Sequence, residues 1–178
     1  MGKAVAATVA AMLVATASSA GARELPENAI TLEPLALVFT RTIVVEYERV
    51  LSPTFSLFIA PSFTFDSVDT DDLTASFLAV GGGLGARAYL LDDAPTGLFV
   101  SAMFQVAWAT AERDGAKSDG VGFAVAGHLG YAWVLGGVVA VSVGLGAAWY
   151  DMSLTLPDGD VGVSGLYPAA RAAIGIGF

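Results

Sequence analysis

The residues of this chain that could do chemistry are few and widely spaced. Glu46 and Glu48 stand two apart, Arg87 and Arg171 sit alone in stretches of small and apolar residues, and His128 is the only histidine. Two carboxylates and two guanidiniums on one inner surface can form a buried ion network. Such a set is first of all structural, because buried charges need partners and a paired set fixes register. The same groups could instead line the constriction of a small pore, or supply a catalytic carboxylate. A nucleophilic site built on His128 would need a nucleophile beside it and a third group to hold the ring, and the sequence shows no clear partner. Acidic residues cluster elsewhere: Asp66, Asp69, Asp71 and Asp72; Glu112, Asp114 and Asp119; Asp158 and Asp160. None has the spacing of a calcium loop, so they read as solvated surface. Gly81 to Gly85 lies within a strand pattern, which removes the context a phosphate loop requires. There is no cysteine, hence no thiolate metal site. No residue set calls for a cofactor or a metal.

Whatever positions these groups has a period of two. Phe55, Leu57, Ile59, Pro61, Phe63 and Phe65 alternate with Ser56, Phe58, Ala60, Ser62, Thr64 and Asp66. Leu98, Val100, Ala102, Phe104, Val106 and Trp108 repeat the pattern, as do Val139, Val141, Val143, Leu145, Ala147 and Trp149. The last stretch does so again with Ile174, Ile176 and Phe178 against Ala173, Gly175 and Gly177. This is the signature of strands with two unlike faces. The bulky face is wholly apolar, while the other is rich in Gly, Ala and Ser with isolated charges. A water-facing surface would carry many charges. Small residues instead suit the inside of a narrow barrel, which eight strands leave just wide enough for side chains to fill. The bulky face therefore points outward, into lipid, and Glu46, Glu48, Arg87, Arg171, Gln105 and His128 point inward. The reverse assignment would give a soluble exported barrel around an apolar ligand.

Composition agrees. The chain is 55% hydrophobic and 14% charged, with a mean hydropathy of +0.68, yet past the N-terminus it has no apolar run long enough to span a membrane as a helix. A formal net charge of −9 leaves no basic patch for a nucleic acid. Residues 1–22 read as a signal peptide: Lys3, an apolar stretch over 4–15, then Ala20-Gly21-Ala22 as the cleavage site, with Ser18-Ser19-Ala20 as an alternative. Residues 23–178 are then one barrel domain.

Connections set the topology. Ser52-Pro53, 92–97 and Gly136-Gly137 are short, whereas 67–72, 112–121 and 157–165 are longer and polar, an alternation of periplasmic turns and outer loops. Strands are predicted at 42–51, 54–66, 74–91, 97–111, 121–135, 138–155 and 164–178. An even count requires one more, and 30–38 is the available segment, although Pro34 within it cannot donate to a ladder. Trp108 and Trp149 fall toward one end of this barrel and Trp133 with Phe178 toward the other, like two interfacial girdles.

The terminal pattern of Phe178, Ile176 and Ile174 resembles the signal read by the outer-membrane barrel assembly machinery. Tyr47-Glu48-Arg49-Val50-Leu51-Ser52, followed by Ser56-Leu57, resembles a segment of small bacterial outer-membrane β-barrel domains of unknown function, and the architecture is similar to the OmpA/OmpX-like eight-stranded barrels. The resemblance implies an all-β, eight-stranded antiparallel up-and-down transmembrane β-barrel after a cleavable signal peptide. It also implies a monomer in the bacterial outer membrane, in contact with its lipid and lipopolysaccharide. It implies no catalytic residue. Eight-stranded lipid A deacylases of that membrane place a Ser two residues after a His, and here that position is Gly130. The expectation is a non-enzymatic structural or surface-interaction protein with a plugged lumen, with a small passive channel or a lipid A-modifying enzyme as the alternatives.

Overall fold

The computed structural model of the protein describes residues 25–178 apart from 71–72, 114–115 and 157–158. The expected signal peptide, 1–22, lies outside the described residues, as do Asp71, Asp72, Asp114 and Asp158. The fold is all-β. Its strands are β1 (Asn28–Leu32), β2 (Thr42–Ser52), β3 (Phe55–Thr70), β4 (Leu73–Tyr89), β5 (Gly97–Arg113), β6 (Ala116–Leu135), β7 (Val139–Leu156) and β8 (Gly159–Gly177). All eight run up and down in sequence order in one antiparallel sheet, which closes where β1 pairs with β8. Asn28 and Phe178 complete this closure by exchanging backbone N–H···O bonds of 3.0 and 2.8 Å.

The alternation in sequence becomes two physical surfaces. Leu57, Ile59, Val80, Leu84, Phe104, Val106, Val125, Leu129, Val143 and Leu145 are exposed around the outside. Between them Ser56, Phe58, Ala60, Ala109, Ala124, Ala126 and Ala148 are buried inside. Trp108, Trp133, Trp149 and Phe178 are all on the exposed face. Trp133 stacks on Tyr131 at 4.8 Å near the β6–β7 turn, and Trp149 meets Phe123 at 5.5 Å further along the wall.

Two expectations need correction. The first strand does not run over 30–38. It stops at Leu32, and Pro34–Thr40 forms a short helix, α1, ended by Arg41 in a left-handed conformation. Pro34 explains the switch: without an N–H it interrupts a ladder, while its fixed φ suits the first turn of a helix. The second correction concerns the loops over 67–72, 112–121 and 157–165. The ladders continue through most of them, since β3 reaches Thr70, β6 starts at Ala116 and β8 starts at Gly159. Polar residues do not end a strand whose backbone bonds are satisfied by its hairpin partner.

The end of the barrel near Phe178 is closed by its own connections. The segment 90–96 folds back across the opening, with the N–H of Ala94 bonded to the carbonyl of Pro53 at 2.7 Å. Ala94 of this segment joins Tyr89, Phe99 and Ala132 in a small apolar floor, with Val50 packed against it.

Candidate functional site

The inner face of β2 places Glu46 and Glu48 two residues apart on the same side of one strand, because successive side chains alternate. Arg87 comes from β4 and Arg171 from β8. All four are buried, and all four meet. Arg87 donates from Nη2 to Oε1 of Glu46 at 2.7 Å and from Nη1 to Oε2 of Glu48. Arg171 donates from Nη2 to Oε2 of Glu46 at 3.0 Å. Glu46 is thus held between two guanidiniums.

Three further polar groups complete the cluster. Tyr89 donates its hydroxyl to Oε1 of Glu48 at 2.7 Å, and Ser56 donates to the same oxygen. Glu33, just before α1, forms an ion pair with Nη2 of Arg171 at 2.9 Å. Both aromatic faces that touch Arg87 belong to the lumen: its guanidinium carbon lies 4.6 Å from the Phe58 ring centre and 5.1 Å from that of Phe99. Cation–π contact of this kind is strongest where water is excluded.

Glycine makes the room. A Cβ on Gly85 would overlap the Phe58 ring, and one on Gly130 would lie 2.5 Å from the Phe99 ring. Large inward side chains on β3 and β5 are therefore matched by the absence of one on the neighbouring strand.

Tyr89 and Ser56 were legible in principle, since both fall on the inward phase of their strands. Glu33 was not, because the strand pattern over 30–38 concealed the helix that sets its position. The other inward polar residues stay outside the cluster. Gln105 and His128 are half-buried on β5 and β6. His128 pairs in register with Ser101 and Gly146, and among the described residues its side chain joins no hydrogen bond to the cluster. Gly130, two residues on, is where the Phe99 ring packs. No group of three or more His, Asp or Glu positioned to hold a metal occurs among the described residues.

The cluster links the inner faces of β2, β4 and β8. The space left beside Glu46, Glu48 and Arg87 is a cavity of about 20 Å³, about what a single water occupies. Below the floor, at the Phe178 end, lies an open groove of about 520 Å³ lined by Glu27, Arg49, Ser52, Pro53 and Asp93 among others. What the arrangement does chemically is to pair buried charges across the inside of the sheet. Buried N–H and O–H groups without partners remain at Nε of Arg87, Nε of Arg171, Oγ1 of Thr31 and Oγ of Ser101. Compared with known proteins, the chain matches no family model, no curated protein and no solved structure.

Proposed function

We propose that this protein is a bacterial outer-membrane β-barrel with a structural or surface-interaction role, its lumen plugged by the ion cluster. One observation carries the reading: large apolar side chains are exposed all the way round the sheet, from Ile30 on β1 to Ile176 on β8. A monomer in water rarely exposes a contiguous apolar patch above a few hundred Å². A lipid-facing barrel requires such a band. The inverted polarity, with charge inside and apolar bulk outside, supports the same reading.

On this reading residues 1–22 are removed on export. Ile174, Ile176 and Phe178 serve the assembly machinery, and the aromatic side chains of Trp108, Trp133 and Trp149 lie toward the interfaces. The partners are outer-membrane lipid and lipopolysaccharide, the barrel works as a monomer, and it is not an enzyme. The ion cluster on the inner face favours a plug over a channel, and Gly130 in place of a serine departs from the deacylase pattern.

The test is expression in a Gram-negative host, followed by fractionation and extraction. The mature chain should appear in the outer membrane, resist urea extraction and need detergent to stay dispersed. A mature chain that remains monodisperse in buffer without detergent overturns the proposal. Altered lipid A mass on expression would return the enzyme reading, and steady conductance in a planar bilayer would return the channel.

A further inference from the structure

The sheet closes over a short distance only. β8 pairs with β1 from Ile174 to Gly177, opposite Leu32 to Ala29, and β1 then ends. Since Asn28 and Phe178 exchange backbone bonds, alternate residues of β8 aim their backbone groups toward the β1 side. Continuing that phase, Ala172, Ala170, Pro168 and Leu166 face a bank where no strand follows. Pro168 has no N–H to offer there, which is where proline is tolerated in a sheet. On the opposite bank β2 begins at Thr42, paired with Thr64 of β3. The Val44 carbonyl accepts the N–H of Glu33 at 3.2 Å.

Helix α1 fills this seam. It touches both β2 and β8, but a helix cannot form a ladder with either, because its own backbone bonds are internal. None of its residues is buried, and Glu33 makes no side-chain cap bond. Val38 and Phe39 are 72% and 78% exposed. Few buried contacts mark a segment at the low-stability end of a fold. Its side-chain ties are the Glu33–Arg171 pair, an exposed Arg41–Asp66 pair and the hydroxyls of Thr40, Thr42 and Thr64.

Charge balance permits Glu33 to leave. With it in place, three carboxylates share two guanidiniums. Without it, Glu46 and Glu48 stand against Arg87 and Arg171, and every remaining charge still has its partner. Any one carboxylate can leave this set without stranding an ion, but Glu33 is the one attached to the strap and the most exposed of the three, at 16% against 2% for Glu46 and 7% for Glu48.

We propose that α1 is a hinged strap over a side opening between β8 and β2, latched by the Glu33–Arg171 ion pair, and that releasing the latch opens the lumen laterally through the wall. The strap and latch stand on the pairing alone. That the opening faces lipid rests on the membrane reading above.

The chain has no cysteine, so single reporters are clean. Val44→Cys and Thr31→Cys are inward and buried beside the seam, and Ala124→Cys is inward and buried on β6. Each is reacted with a small water-soluble maleimide in micelles and in lipid vesicles, with and without Glu33→Ala, after gel mobility has shown the barrel folded. Glu33→Ala should speed modification at Val44→Cys and Thr31→Cys at least 10-fold and leave Ala124→Cys unchanged. Two seam reporters guard against one substitution preventing folding. Unchanged seam rates overturn the strap, and so does an equal rise at all three positions, which would mean general loosening. A chain that needs no detergent would overturn the membrane reading while leaving the labelling result to judge the strap.

Discussion

The guanidinium of Arg87 lies 4.6 Å from the centre of the Phe58 ring. Both residues point into the lumen, one from β4 and one from β3, and Phe58 reaches that position because the residue directly opposite it is Gly85. A cation, a ring and a missing side chain are thus a single packing unit.

Removing Arg87 should be the most damaging single change in the barrel. Arg87→Ala leaves Glu48 without its cation and Glu46 with one instead of two. Breaking a buried pair from one side costs about 3–5 kcal/mol. Urea titration of the refolded barrel in vesicles should show a loss of that size. A loss under about 1 kcal/mol, the usual worth of an exposed pair, would mean water reaches the cluster.

Gly85→Val should destabilise by overpacking, about 1–3 kcal/mol. Phe58→Ala in the same chain should recover part of that loss, because the introduced side chain would occupy space the ring vacates. A double-mutant cycle measures the coupling. Purely additive losses would show that Gly85 is needed for its backbone and not for the ring.

Tyr89→Phe deletes one hydroxyl and leaves the ring in the apolar floor. Hydrogen bonds to charged groups contribute about 1.5–3 kcal/mol, so the variant should lose stability within that range. Ser56→Ala removes a donor to the same oxygen of Glu48 and should couple to it. Independent effects at the two positions would indicate that the two donors do not share that oxygen.

On the outer wall, Leu145→Arg tests the polarity of the fold. Leu145 is 71% exposed, so in water the change should be nearly neutral. In a bilayer an arginine near the midplane of a barrel wall costs about 2–4 kcal/mol. Folding yields into vesicles against wild type decide between the two.

In a planar bilayer the wild-type barrel should hold no steady conductance, because the cavity beside the cluster is about 20 Å³. Arg171→Ala with Glu46→Ala removes one cation and its bridging carboxylate together. Brief openings are expected from this pair and from neither single-charge control on the exposed face, such as Asp66→Ala. Steady wild-type currents would show that the cluster moves aside.

Much of this architecture is legible along the chain. Period-two alternation marks seven of the strands to within a few residues, because a sheet with two unlike faces leaves its polarity in every second position. The same phase names Glu46, Glu48, Arg87 and Arg171 as inward. It says nothing of depth around a closed sheet, which depends on the stagger of each pair, so contact between residues 125 apart in sequence is decided only when β8 comes round to β1. The hairpins were harder to read, since polar residues mark a loop and a solvated strand equally well.

The sequence by itself determined the strands, the two faces, the absence of thiol chemistry and the short turns at one end. Each follows from local residue type, through backbone propensity and side-chain alternation. Only the tertiary structure decided that Pro34 starts a helix, that Glu33 therefore joins the ion cluster and that the wall closes over so short a stretch. Those outcomes depend on which backbone groups find partners across the sheet, and pairing partners are set by the closure of the whole barrel.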